Sequence, residues 1–166
     1  MTFGLTLVQL EPGATIGLVM CAQGATSIAG WQPTSAAYQS CISATRAGGG
    51  TVAGIVFLQG ETDAKNKKTA EAWAAGFQNV LTAFRTDLGS NVPFVLGQIG
   101  QADPNVYPAQ QIVRDEQAEA AATNPGVTLV VTKDLPIKPD GVHFTVDSYE
   151  TIGVRFATAW WHATGH

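Results

Sequence analysis

Short, almost uninterrupted apolar runs alternate along the chain with longer stretches in which apolar residues recur every three or four positions. The runs cover positions 15–22, 51–60, 92–100 and 126–132. Continuous apolar runs of this length are typical of parallel strands that are buried on both faces. Their alternation with helical segments predicts an α/β fold, a three-layer αβα sandwich with a flavodoxin-like, mainly parallel sheet of four or five strands.

Helical periodicity is strongest in two segments. Apolar residues recur at helical spacing over positions 70–88, and Gly89 is placed to end that helix. A second helix is predicted over positions 146–160, with Thr145 as its N-cap. Weaker patterns predict helices near positions 35–46 and 108–122.

The N-terminus departs from this alternation. Phe3, Leu7 and Leu10 have helical spacing, and no apolar run precedes them. This pattern predicts one domain over residues 1–166 that begins inside a βα unit, and therefore a chain truncated at its N-terminal side.

Composition and charge exclude several classes of partner. A chain of 166 residues with 45% hydrophobic and 13% charged residues suits one compact domain. A net charge of -4, with no basic cluster denser than the lysines at positions 65, 67 and 68, predicts binding to neither nucleic acid nor an anionic membrane. The N-terminus lacks a signal-peptide pattern, which predicts a cytoplasmic chain as it stands, or a secreted one if an upstream segment exists.

Cys21 and Cys41 lack the CxxC spacing of a zinc or redox site. Base rates for such a pair favour two reduced thiols and leave a single disulfide open. No metal and no cofactor are predicted. A nucleotide binder is the weakest alternative, because neither GxGxxG nor GxxxxGK[ST] follows any apolar run.

Polar, glycine-rich segments follow each apolar run. They are QGATS at 23–27, QGETD at 59–63, GQIGQ at 97–101 and KDLPIKPDGVH at 133–143. In open α/β sheets, ligands bind outside the carboxyl ends of the strands. The pattern therefore predicts a small-molecule site built from these four segments.

The last segment carries Asp140 and His143, three positions apart, in a chain with three histidines. A histidine at this position can accept a proton from a nucleophilic hydroxyl and return it to a leaving alcohol, while an aspartate fixes its tautomer. The simpler interpretation makes Asp140 a turn residue and His143 a packing residue, because Asp-Gly is a strong turn signal.

The stretches AQGATSIAGW, FLQGETDA and DGVHFTVDSYETIGVRFA resemble the carbohydrate-esterase branch of the SGNH/GDSL hydrolases, which includes sialate O-acetylesterase-like and acetylxylan esterase-like enzymes. The resemblance extends over nearly the whole chain. It implies an αβα fold and a cofactor-free serine esterase that removes acetyl groups from carbohydrates or other small acyl esters. It implies that His143 and Asp140 are catalytic.

The same resemblance implies that the backbone N–H of Gly24 and the side-chain amide of Gln59 stabilise the oxyanion. Glu61 and Asp63 are interpreted as scaffold residues of the crevice. Arg114 falls on a helix where the family often has an arginine near the crevice, but a solvated helix-face charge is the favoured interpretation.

The family's nucleophilic serine lies in a Gly-Gln-Ser-Asn-type block after the first strand, and this sequence has no such block. Ser27 lies in a crevice segment and is a possible substitute nucleophile, although a helix-capping role is favoured. Ser148 is expected to point away from the histidine. Two functions therefore stay open: an esterase, or a nucleophile-less relative that retains a binding crevice. The missing strand also predicts a homo-oligomer formed through an exposed strand edge.

Overall fold

The structure is a computed structural model, and it describes residues 2–165. Its helices are α1 (Thr2–Leu10), α2 (Ala36–Gly48), α3 (Lys67–Glu71), α4 (Trp73–Leu88), α5 (Gln110–Thr123) and α6 (Val146–Ala163). Its strands are β1 (Ile55–Leu58), β2 (Phe94–Gly97) and β3 (Val127–Val130). Two short 3-10 helices, Ile28–Trp31 and Asp63–Lys65, follow the first and second apolar runs.

The three strands form one parallel sheet in the order β1-β2-β3. The predicted parallel pairing is confirmed, and so is the α/β class. The sheet is smaller than predicted, because it contains three strands within residues 2–165 rather than four or five. β2 is central, and all four of its residues are buried.

The first apolar run, at 15–22, forms no strand, so the prediction of a strand there is wrong. A strand needs a neighbour that accepts its backbone hydrogen bonds, and β1 pairs only with β2 among the described residues. The run is held by side chains instead. Leu18 lies against Gly4 of α1, and Cys21 is bonded to Cys41 of α2.

Helices cover both faces of the sheet. Phe94 of β2 faces α2, α4 and α5, and its ring lies 5.5 Å from that of Phe77 at an interplanar angle of 81°. Val95, the next residue, faces the opposite side and packs with Ile152 and Phe156 of α6. α1 packs against α6. The alternation along β2 therefore produces the predicted three-layer arrangement.

The predicted helix ends are mostly confirmed. Thr145 caps α6 by accepting a hydrogen bond from the backbone N–H of Ser148 at 3.2 Å. Gly89 ends α4 at a φ of 129°, which an L side chain rarely adopts. The helix predicted over 70–88 is divided, since α3 ends at Glu71 and α4 begins at Trp73. No helix in the described part of the chain has the length and apolarity that crossing a membrane requires.

Cys21 and Cys41 form a disulfide, so the prediction that both are reduced is wrong. Their separation of 20 positions gives no information about distance, whereas the packing of α2 brings their Cα atoms to 5.1 Å. In the chain-entropy model, closing a loop of this size stabilises the folded state by about 3 kcal/mol. The bond fixes the segment that enters the 23–27 loop.

Candidate active site

The segment between β3 and α6 closes on itself as a compact loop. The backbone N–H of Lys138 donates to the carbonyl of His143 at 2.7 Å, and Ile137 and Phe144 form an antiparallel bridge. Gly141 turns the loop at a φ of 79°, where a side chain would be strained. These local backbone hydrogen bonds hold His143 in a defined position.

This loop rests on the segment that follows β2. The backbone N–H of Asp103 donates to the carbonyl of Gly141 at 2.7 Å. A Cβ at Gly100 would lie 2.7 Å from the ring of Phe144, so that glycine permits the two segments to touch. The carboxyl ends of β2 and β3 therefore meet at one edge, as predicted.

Asp140 and His143 are hydrogen-bonded as predicted, with 3.0 Å between Oδ2 and Nδ1. Asp140 Oδ1 also accepts the backbone N–H groups of His143 at 2.9 Å and Val142 at 3.0 Å. These bonds, the backbone ones first, hold the pKa of Asp140 at about 2. An ionised carboxylate only accepts hydrogen bonds, so the ring hydrogen lies on Nδ1 and leaves Nε2 as an acceptor. Asp140 is thus a turn residue and a partner of the histidine at once.

The pair lies at the surface. The side chains of His143 and Asp140 are 65% and 44% exposed. Solvent screens an ion pair at such a position, so its role in stability is small. Exposure instead leaves the imidazole accessible to a ligand.

Glu61 and Tyr149 lie near the Asp140–His143 pair. Burial raises the pKa of Glu61, while neighbouring backbone N–H groups and the charge of His143 lower it. Burial raises the pKa of Tyr149 as well, and the charges of Glu61 and Asp140 raise it further. Both residues are therefore close enough to interact with the pair. From the sequence, Glu61 was expected to be a scaffold residue, and Tyr149 falls within the helix predicted over positions 146–160.

Gln59 is fully engaged inside the protein. Its Nε2 donates to the carbonyl of Thr26 at 3.0 Å and to Asp63 Oδ2 at 2.6 Å, and its Oε1 accepts the indole N–H of Trp73 at 3.0 Å. An amide nitrogen has two hydrogens, and both are used. In this conformation Gln59 has no hydrogen left for an oxyanion, which argues against the predicted donor role.

Asp63 is a buried anchor, consistent with its interpretation as scaffold. Its Oδ2 accepts the backbone N–H of Ile28 at 2.9 Å in addition to the amide of Gln59. Burial raises the pKa of Asp63, and these two hydrogen bonds lower it. The QGETD segment therefore holds the 23–27 loop through both Gln59 and Asp63.

Gly24 and Ser27 lie in that loop. Gly24 is exposed, with no atom within 4 Å of the position a Cβ would take, so a ligand can approach its backbone. Ser27 precedes the 3-10 helix Ile28–Trp31 but makes no side-chain capping bond, so the prediction that its hydroxyl is a cap is wrong. Asp63 takes the backbone N–H of Ile28 instead, and the hydroxyl of Ser27 stays uncommitted.

Ser148 behaves as predicted. Its hydroxyl donates to the carbonyl of Pro136 at 2.8 Å and contacts the hydroxyl of Thr145 at 2.8 Å. The side chain is buried at the start of α6. It serves the loop structure and does not face the imidazole.

Arg114 is buried, so the interpretation as a solvated helix-face charge is wrong. Its guanidinium donates to the carbonyl of Gly100 at 3.1 Å and to the side chains of Gln110 and Gln111 at 3.0 and 2.9 Å. Burial lowers the pKa of Arg114. Through the carbonyl of Gly100, Arg114 fixes the segment that follows β2. Three polar residues, Asp115, Glu116 and Gln117, follow it on α5, so the pattern alone resembled a solvent-facing surface.

No metal-binding geometry accompanies these residues. Among residues 2–165, no group of three or more His, Cys, Asp or Glu side chains is arranged to hold an ion. The site consists of a histidine, the carboxylates of Asp140 and Glu61, a phenol, and backbone N–H groups of the adjoining loops. Such a set suits proton transfer and hydrogen bonding to an oxygen-rich ligand.

Comparison with known proteins gives one family match. A family model described as "Carbohydrate esterase, sialic acid-specific acetylesterase" matches residues 1–162. A probable carbohydrate esterase from Arabidopsis thaliana is 30% identical over 151 residues, which are 89% of this chain and 56% of that protein. The chain thus spans little more than half the length of this relative.

Solved structures share the fold. The X-ray structure of the Arabidopsis protein superposes with a TM-score of 0.87 at 28% identity, covering 96% of this chain and 66% of the other. A carbohydrate acetylesterase from Xanthomonas citri gives a TM-score of 0.78 at 21% identity, over 99% of this chain and 41% of the other. NanS gives 0.63 at 17% identity, over 80% of this chain and 54% of the other. The last two establish similarity of fold alone.

Proposed function

The chain belongs to the carbohydrate esterase family of sialic acid-specific acetylesterases, and from this membership we propose that it hydrolyses acetyl esters of carbohydrates. The observation that carries the proposal is the 3.0 Å hydrogen bond between Asp140 and His143 in an exposed loop that follows β3. The substrate class is a small acetylated sugar. No cofactor is required for this chemistry.

In the proposed reaction, Nε2 of His143 accepts the proton of a nucleophilic hydroxyl as its oxygen bonds to the acetyl carbon. The tetrahedral intermediate then collapses, the C–O bond to the sugar breaks, and His143 returns the proton to the sugar oxygen. Water repeats the sequence on the acyl-enzyme and releases acetate. The ionised Asp140 stabilises the imidazolium that forms in each half-reaction.

The proposed oxyanion donor is the backbone N–H of Gly24, because a ligand can approach this exposed glycine directly. Gln59 would have to release Thr26 or Asp63 before its amide could serve as a second donor. For this reason Gln59 enters the proposal as the residue that positions the 23–27 loop.

Ser27 is the proposed substitute nucleophile. Its loop is held against the QGETD segment, which also carries Glu61 beside His143. Its hydroxyl has no capping partner, unlike that of Ser35, which caps α2. The hydroxyl is therefore available to a base, and the proposal requires that His143 reach it when substrate is bound.

A second candidate function is a non-catalytic relative that binds acetylated sugars without cleaving them. It is favoured by one observation: within residues 2–165, the hydrogen bonds of His143 run to Asp140 and Lys138, and none joins it to a serine. A base without an adjacent hydroxyl would leave binding intact and remove covalent catalysis.

Replacing His143 with alanine tests the esterase. Hydrolysis of 4-nitrophenyl acetate by rigorously purified protein should fall at least about 100-fold, because general base catalysis contributes about 10²–10⁴-fold. In the unmodified protein, activity should also fall on acidification, since a protonated imidazole cannot accept a proton. The control is His162→Ala at the exposed end of α6. Unchanged turnover in His143→Ala would refute the assignment.

Covalent capture separates the two candidate functions. Weak hydrolysis of an activated ester needs no nucleophile, because oxyanion stabilisation and binding alone give about 10³–10⁴-fold acceleration. A fluorophosphonate requires an activated serine. Stoichiometric labelling that is lost in Ser27→Ala and retained in the exposed Ser90→Ala would identify Ser27. Poor labelling of the unmodified chain is expected if the nucleophile is missing, and it would favour the binding relative.

A further inference from the structure

We propose that Tyr149 binds the sugar ring of the substrate and thereby selects acetylated carbohydrates over simple acetate esters. This inference rests on the proposed function and assigns the residue that contacts the alcohol side of the ester. It makes Tyr149 a specificity-determining residue, distinct from the pair that transfers the proton.

The position of Tyr149 follows from the start of α6. Thr145 caps this helix directly after the loop that carries His143, and Tyr149 lies in its first turn. The Tyr149 ring packs edge to face on Phe144, with ring centroids 5.7 Å apart and an interplanar angle of 75°. This contact with Phe144, the residue after His143, thus holds the Tyr149 ring on the side of α6 that faces the site.

The ring is nevertheless open to a ligand. Tyr149 is 46% exposed, whereas Phe144, on which it leans, is 2% exposed. The core side of α6 is formed by other residues, among them Ile152 and Phe156. Tyr149 therefore contributes little to the core, and an exposed aromatic ring beside a site has a role that core packing does not explain.

The surroundings of the phenol place it beside the reacting groups. Its oxygen interacts with the charges of Glu61 and Asp140, and both of those carboxylates interact with His143. Glu61, after β1, and Asp140, in the loop after β3, thus both lie near the phenol, which also has a hydrogen bond with the backbone of Phe144. An ester bound with its leaving oxygen near Nε2 would extend its alcohol portion over Tyr149 or Glu61.

The chemistry of these two residues fits a sugar. A tyrosine offers an apolar face for the C–H groups of a pyranose and a hydroxyl for hydrogen bonding, and it has only two side-chain torsions to fix. The carboxylate of Glu61 accepts hydrogen bonds from sugar hydroxyls. A simple alcohol such as ethanol presents neither a ring face nor several hydroxyls, so its acetate ester would gain little from this surface.

The test compares two substrates in three variants. With glucose pentaacetate, Tyr149→Ala should raise KM about tenfold, and Tyr149→Phe should stay within about threefold because the ring is retained. With ethyl acetate, whose alcohol part has no ring to contact Tyr149, the loss in Tyr149→Ala should be clearly smaller than with glucose pentaacetate. The matched control is Val154→Ala, an exposed apolar residue farther along α6. Equal losses on both substrates would mean a structural role, and unchanged KM in Tyr149→Ala would overturn the proposal.

Failure of the proposed function has a different signature. If the unmodified protein cleaves neither ester, glucose pentaacetate stays intact, and its dissociation constant can be measured by titration calorimetry. An approximately tenfold weaker affinity of Tyr149→Ala, with Val154→Ala unchanged, would then support the Tyr149 proposal without the esterase. Equal affinity, or no binding by any variant, would refute it.

Discussion

At the scale of single residues, the carboxyl ends of the strands hold two kinds of polar side chain, and their partners distinguish them. Gln59 and Asp63 bind each other and the 23–27 loop, so they build the site. His143 interacts with both Asp140 and Glu61, and the exposed side chains of Asp140 and His143 leave hydrogen-bonding capacity toward solvent. Residue type alone does not separate these sets, because glutamine and carboxylates occur in the same short segment.

Glu61 gives the residue-scale prediction, because burial raises its pKa. A carboxyl whose folded pKa lies above its unfolded value stabilises the protein below the unfolded pKa, and this contribution is lost as pH rises through the folded pKa. The charged form therefore costs stability at pH 7. Glu61→Gln should raise the free energy of unfolding at pH 7 and change it little at pH 4, because glutamine carries no charge to bury.

Urea unfolding at both pH values measures this effect. Glu119→Gln, on the exposed side of α5, is the control and should be neutral at either pH. A destabilised Glu61→Gln protein at pH 7, or an equal effect at both pH values, would contradict the argument. A stabilised variant with lower activity would indicate that Glu61 is retained for function.

At the scale of elements, the packing of α6 against the sheet determines how far the site lies from the sheet. This helix begins just after His143, and Tyr149 lies on it. One close approach is at Gly97, the last residue of β2. A Cβ there would lie 2.7 Å from the ring of Phe156 and 2.8 Å from Leu58. The absence of a side chain at Gly97 therefore lets α6 lie against the central strand.

Gly97→Ala should destabilise the protein by about 1–3 kcal/mol, because the added methyl group overpacks a dense interface. Chemical denaturation measures the loss. Gly17→Ala is the matched control, since nothing lies within 4 Å of its added methyl group. If the two alanine variants unfold at the same denaturant concentration, then α6 can shift without loss of stability, which would contradict this prediction.

At the scale of the whole molecule, the sheet has an open side. Among residues 2–165, β1 pairs with β2 only, and Val56 in the middle of β1 is 38% exposed. The run 51–60 contains neither a lysine nor a proline, which are the usual devices that protect an edge strand. The structure thus retains the feature from which an oligomer was predicted, while the oligomeric state itself stays a prediction.

We expect the protein to self-associate through β1. Sedimentation velocity at micromolar concentration should detect dimers or larger species, and Val56→Lys should shift them to monomers by placing a charge on the edge strand. Val154→Lys, an equally apolar and exposed site on α6, is the control and should not dissociate them. A clean monomer for the unmodified chain would contradict this prediction.

Much of the architecture could be predicted from the sequence because it depends on local periodicity. The continuous apolar runs located β1, β2 and β3, and helical spacing with Thr145 and Gly89 located the ends of two helices. The Asp140–His143 bond belongs to the same class, since a three-residue turn determines it. In each case the interacting atoms belong to the same turn, helix or strand, so the local sequence pattern predicts their arrangement.

Only the tertiary structure decided the contacts between distant positions. It joined Cys21 to Cys41, used both amide hydrogens of Gln59, buried Arg114 and left the run 15–22 without a strand partner. It also placed Tyr149 near the Asp140–His143 pair. The separation of two residues along the chain does not predict the distance between them in the folded protein. The role of a polar side chain depends on the partners that packing brings within hydrogen-bond distance. The sequence thus determined most of the elements and the Asp140–His143 pair, and packing determined the environment of that pair.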